Sequence, residues 1–136
     1  MDVERDPLLQ CLVLLTEHNR RPCSAQVLTS GLPLVDGRLT PKLFLRAAAR
    51  GGFAAKLVQR PLNQLSSLLL PAVLLLENEG ACILQSLDLE QGEAEILQPE
   101  SGGVSRFSLE ELDQAYTGYV IFMRPEYQFG ERSSRA

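Results

Sequence analysis

The side chains of this 136-residue chain best suited to nucleophilic or metal chemistry are three cysteines, Cys11, Cys23 and Cys82, and one histidine, His18. A thiol becomes a nucleophile when a base within hydrogen-bond reach takes its proton. Cys11 and His18 are seven residues apart on what reads as one helix. At ~1.5 Å rise per residue they are separated by roughly 10 Å along the axis, too far for proton transfer. Cys11 also sits a full turn inside that helix, where the positive helix end no longer lowers its pKa. It reads as a small buried hydrophobe. His18 reads as a surface residue favoured by the helix C-terminus. With Cys23 it would supply two of the four ligands a zinc site needs, so no metal site is expected. The stretch "ESGG" (100–103) lacks the G-x-x-x-x-G-K-[ST] pattern of a phosphate loop and reads as a turn. No cofactor is expected.

The elements around these residues follow from local signals. Asp6 before Pro7 starts a helix, with Leu8, Cys11, Leu12 and Leu15 on one face and Leu9, Val13 and Leu14 filling others. Such a helix is apolar almost all round and central. Ser24 caps a short second helix that Gly31 and Pro33 stop. Thr40 and Pro41 open a third, ended by Gly51-Gly52, with Leu43, Phe44, Ala47 and Ala48 as its apolar stripe. The period then changes to strand-length runs at 53–59, 71–77, 81–88, 93–98 and 119–124, with "ENEG" and "EQGE" as hairpin turns. Ser108 and Glu111 form a capping box, and Phe107 with Leu112 a hydrophobic staple, so a short helix precedes the last strand. Helices first and an antiparallel sheet after define an α+β domain.

The chain is 45% hydrophobic and 22% charged, enough to bury a core. Its net charge of −4 carries no basic stripe, which argues against nucleic-acid binding. Three widely spaced cysteines form no disulfide framework and imply reduced thiols. "MDVERDP" has no signal-peptide apolar region. The longest apolar run, "LLLPAVLLL", is broken by Pro71 and falls short of the about 20 residues a membrane helix needs.

Four segments in order, "DPLLQCLVLLTEH", "RAAARGGFAAKLVQ", "LPAVLLLENEGACIL" and "FSLEELDQAYTGYVIFMRPE", resemble the papain-like domain at the N-terminus of bacterial peptide exporters. These are the bacteriocin-processing cysteine peptidases that cut leaders after a double glycine. The resemblance spans Asp6 to Arg124 and implies a papain-like fold, N-terminal helices packed on an antiparallel sheet. It also implies a triad: a cysteine at the start of the first helix, a histidine at the start of a strand, and an aspartate on the next. In this chain those positions fall on Pro7, Ala81 and Gln98. The family's second, structural cysteine matches Cys11. Its oxyanion glutamine would fall at Met1. Cys82, beside Ala81, is expected on the opposite face of the strand.

With all three positions replaced, the resemblance implies a domain that is no enzyme. It is similar to the peptidase-like domains of type I secretion ABC transporters, closest to the adhesin and RTX exporters. The implied role is to bind or position an unfolded RTX- or adhesin-type protein for export. Residues 1–125 would form the domain and 126–136 a linker toward a transmembrane region, with Tyr127 and Phe129 packed on the domain or near the membrane. The other implied partners are the transmembrane and ATPase parts of the same transporter. The transporter is expected as a homodimer on the cytoplasmic face of the bacterial inner membrane, and the isolated domain as a monomer. The alternatives are a structural or regulatory domain contacting the transporter's own ATPase or membrane part, and an active leader peptidase with a relocated triad.

Overall fold

A computed structural model describes residues 6–126. Three helices come first: α1 (Pro7–His18), α2 (Ala25–Thr29) and α3 (Pro41–Arg50). Each begins where a side-chain oxygen meets a free backbone N–H. Asp6 accepts from Leu9, Ser24 from Val27 and Thr40 from Leu43. Strands β1 (Phe53–Gln59), β2 (Ala72–Leu76), β3 (Gly80–Asp88), β4 (Glu93–Leu97) and β5 (Val104–Ser108) follow, then α4 (Leu109–Ala115) and β6 (Tyr116–Pro125). Two single turns of 3-10 helix, Leu62–Gln64 and Ser67–Leu69, lie between β1 and β2.

The six strands form one antiparallel sheet in the order β1-β6-β2-β3-β4-β5. Strand β6 enters between β1 and β2, so the last strand completes the centre of the sheet. Each face carries its own core. Val73, Ala81, Ile83 and Ile121 face α1 and α3 and pack with Leu9, Leu12 and Phe44. Their strand neighbours Ala72, Leu74, Cys82, Leu84 and Val120 face the other way, against Leu62, Leu65 and Leu112. Burial on both faces explains why β2 and the start of β3 read as continuous apolar runs rather than alternating ones.

The expected helices, capping box and five strands are all present, with boundaries shifted by a few residues. One strand was not anticipated. Residues 104–108, "VSRFS", form β5, an edge strand with Val104 and Arg106 exposed. Its ladder to β4, with Phe107 opposite Ala94, sets its conformation. Strand β6 also begins earlier than expected, at Tyr116, which pairs with Leu76 of β2; Gly118 takes φ +99° where the register between these strands shifts. Gly52, at φ +87°, turns the chain from α3 into β1, and Arg21 Nη1 donates to its carbonyl at 2.9 Å. No helix among the described residues is long and apolar enough to cross a membrane. Met1, Tyr127, Phe129 and nearly all of the expected linker lie outside the described residues.

Candidate functional site

The start of α1 is fixed by Asp6, whose carboxylate is 2% exposed. One oxygen accepts from the Leu9 N–H at 3.2 Å and the other from the Leu39 N–H at 2.8 Å. The first bond caps the helix. The second ties the helix to the segment that enters α3, 33 residues away in the chain. Pro7 then takes the first helical position, where its missing N–H costs nothing. It offers no thiol, hydroxyl or amine.

Ala81 is the second residue of β3, opposite Leu75 of β2, and 4% exposed. Cys82 is buried on the other face of the sheet, as the strand period requires. Gln98 follows the last residue of β4. Its N–H donates to Gly103 O at 2.9 Å and its carbonyl accepts from Gly102 N at 2.8 Å, which closes "ESGG" as a turn. Ile83 lies opposite Leu97, so β3 and β4 bring Ala81 and Gln98 to the same end of the strand pair.

Side-chain packing brings this end against α1: Leu8, Leu9, Cys11 and Leu12 share one buried cluster with Ala81 and Ile83, and Leu97 packs against it. Burial pushes the Cys11 thiol well above its ordinary pKa, and Cys82, Glu100 and Asp6 add to the shift in that order. Cys82 adjoins Ala81, Glu100 lies two residues past Gln98, and Asp6 precedes Pro7. The start of β3 and the end of β4 therefore lie against the first half of α1. The Cys82 thiol is raised to about 12, first by burial and then by Glu100. Both buried thiols stay protonated near neutral pH and are not nucleophiles. Alkylation of the native chain at pH 7.5 with iodoacetamide is therefore expected to modify half-buried Cys23 while Cys11 and Cys82 react only after unfolding. Peptide mass spectrometry reads this directly. Modification of native Cys11 would contradict the assignment.

A cleft of about 600 Å³ opens at the α1 N-terminus. Its walls come from Pro7 and Leu8, from residues 35–41, from the β2–β3 hairpin at Leu75 and Gly80, and from Thr117 and Tyr119. Pro7 lines it. Ala81 lies beneath, next to Gly80, and Gln98 is not part of the wall. Among the described residues no thiol, imidazole or amine lines the cleft, and Thr117 Oγ1 is already committed to Leu75 O at 2.8 Å. Asp6, Asp36 and Glu79 face one cation, Arg38, whose guanidinium pairs with Glu79 at 2.6 Å. The arrangement is apolar with an acidic rim, able to hold a chain segment but without a nucleophile–base pair.

His18 is exposed at the far end of α1. Cys23 turns its backbone N–H to Thr16 Oγ1 at 3.3 Å. No group of three or more metal-ligating side chains occurs among the described residues. The second bond of Asp6 and the Arg38–Glu79 pair were not readable from sequence, since each joins residues more than 30 positions apart. A local hint was Asp36-Gly37, a turn-forming pair at φ +52° and +73° that places Arg38.

The model of the peptidase C39 family matches residues 2–128. The N-terminal peptidase C39 like domain of the toxin secretion ATP-binding protein from Vibrio parahaemolyticus superposes with a TM-score of 0.85 at 40% identity, covering 90% of this chain and 98% of that one. The peptidase domain of Streptococcus ComA, a bi-functional ABC transporter involved in a quorum sensing pathway, gives 0.77 at 20% identity, over 93% and 95%. A double glycine motif protease from an AMS/PCAT transporter, solved with the leader peptide, gives 0.75 at 16%, over 92% and 87%. No curated protein sequence matches the chain. The family match over nearly the whole length, together with the 40% identical Vibrio domain, establishes that this chain belongs to the peptidase C39 family, with its papain-like fold.

Proposed function

We propose that the chain is a non-catalytic peptidase-like domain of a type I secretion ABC transporter, and that it binds or positions an unfolded RTX- or adhesin-type protein for export. It would work on the cytoplasmic face of the bacterial inner membrane, beside the transmembrane and ATPase parts of the same transporter. One observation carries the reading. The resemblance puts the family's nucleophile, base and orienting carboxylate at Pro7, Ala81 and Gln98, and none of these residues has the required chemistry. A cleft of about 600 Å³ lies beside Pro7 all the same. A groove without acid–base groups is suited to holding a chain rather than cutting it. The Vibrio relative, named for toxin secretion, supports the transport context.

An unfolded chain gives up conformational freedom on docking, so affinity should be modest, in about the micromolar to millimolar range. The test is a titration of the isotopically labelled chain with the secretion-competent segment of the protein exported by the same transporter. Saturable amide shifts are expected. Their absence at millimolar concentration would remove substrate binding as the role and leave contact with the transporter's own domains.

A further inference from the structure

The clefts of this domain differ sharply in charge. A second groove, of about 640 Å³, lies where β1 and β6 meet residues 68–71. Lys56, Arg60 and Arg124 line it, and no carboxylate does. None of the three cations is ion-paired among the described residues. Three unpaired cations gathered in one groove are a segregated feature on a chain of net charge −4. The groove is also apolar. Phe122 and Leu70 contribute to its wall, and Leu68 and Leu69 stand at its margin 91% and 45% exposed.

Beside this groove lies a free sheet edge. The bonds Glu126 N to Gly52 O at 2.9 Å and Arg60 N to Gly118 O at 2.8 Å set the phase of the β1–β6 ladder. In an antiparallel pair the bonded residues alternate. The even-numbered residues of β1 therefore face β6, and the N–H and C=O groups of the odd-numbered residues point outward; Phe53 is buried, which leaves Ala55, Leu57 and Gln59 as the open edge. No strand pairs with them among the described residues. A lysine on an edge strand can simply deter unwanted pairing. That accounts for Lys56 but not for Arg60, Arg124 and the two exposed leucines.

We propose that this edge and groove dock an acidic segment of extended polypeptide as an added strand along β1. Backbone bonds to the outward groups of β1 give the added strand its register. Its apolar side chains rest on Phe122 and Leu68, and its carboxylates meet Lys56, Arg60 and Arg124. The acidic cleft at Pro7 repels the same segment, because Asp6, Asp36 and Glu79 outnumber Arg38 there. That the docked segment belongs to the exported protein rests on the function proposed above; the docking itself does not. An anionic bilayer would also attract the three cations, but the surface is concave and the whole chain is acidic.

The experiment titrates the labelled 136-residue chain with a synthetic peptide alternating aspartate and valine, with a counterpart carrying lysine for aspartate, and with phosphatidylglycerol vesicles. Shifts are expected at Ala55, Leu57 and Gln59 with the acidic peptide alone. Lys56→Glu, Arg60→Glu and Arg124→Glu combined should weaken binding about tenfold or more, as should high salt. Lys56 and Arg124 are exposed and Arg60 is half-buried, so the fold should hold, and circular dichroism checks it. Gln59→Pro, which removes one outward donor from an exposed edge position, should also weaken binding while leaving the melting temperature close to wild type. Shifts centred on the Pro7 cleft, equal binding of the lysine peptide, an unaffected triple variant, or retention on the vesicles alone would each overturn the proposal. If the exported protein binds but shifts other residues, its docking here fails and the proposed function stands. If the acidic peptide docks here and the exported protein binds nowhere, the groove stands and that function falls.

Discussion

Replacing Asp6 with alanine is expected to destabilise the domain by about 2–4 kcal/mol, one of the largest effects available to a single polar substitution in this chain. The carboxylate is 2% exposed and accepts two backbone N–H groups, from Leu9 and from Leu39. Alanine leaves both donors without a partner in a place water does not reach, and an unsatisfied buried donor costs about 1–3 kcal/mol. Asparagine retains one acceptor oxygen and should lose roughly half as much. The measurement is urea unfolding, read as a lower midpoint at unchanged slope. A loss confined to helix capping would amount to only about 1 kcal/mol and would show that the bond to Leu39 contributes little. The same carboxylate lines the cleft beside Pro7, so loosening it should also broaden the amide signals of residues 35–41.

How much of this could be read from the chain depends on the range of each interaction. The helix starts are local: Asp6-Pro7, Thr40-Pro41 and the Ser108–Glu111 box each place an acceptor within three residues of its donor, and all are present. The strand period put Ala81 and Cys82 on opposite faces, and the two cores bear this out. Strand β5 has no local signature because "VSRFS" carries a charge and exposes two of its five residues, and only pairing with β4 makes it a strand. The insertion of β6 between β1 and β2 has no local signature. Neither does the cleft, whose walls come from separate parts of the chain. The basic groove was hidden for the same reason: Lys56, Arg60 and Arg124 form no run in sequence, and the β1–β6 ladder assembles them.

Restoring a thiol at the head of α1 by Pro7→Cys is expected to give no cleavage of a double-glycine leader peptide above the uncatalysed rate. The new thiol would sit at the positive end of a twelve-residue helix, which favours thiolate. Thiolate alone does not carry peptide hydrolysis, since a general acid must also protonate the departing amine. The resemblance puts that role at Ala81, whose methyl group is 4% exposed and faces the core. The chain's single histidine lies at the other end of α1. Groups of a catalytic triad act as a unit, so returning one of three recovers almost nothing. Adding Ala81→His forces an imidazole into packed space at a cost of about 1–3 kcal/mol, and Gln98 still offers no carboxylate to orient it. Leader peptide incubated with wild type, with Pro7→Cys and with the double variant, and followed by mass spectrometry, should remain intact in all three. Cleavage by wild type that Cys11→Ser abolished would instead reveal a working nucleophile one turn inside the helix. The buried and protonated state of that thiol argues against such an outcome.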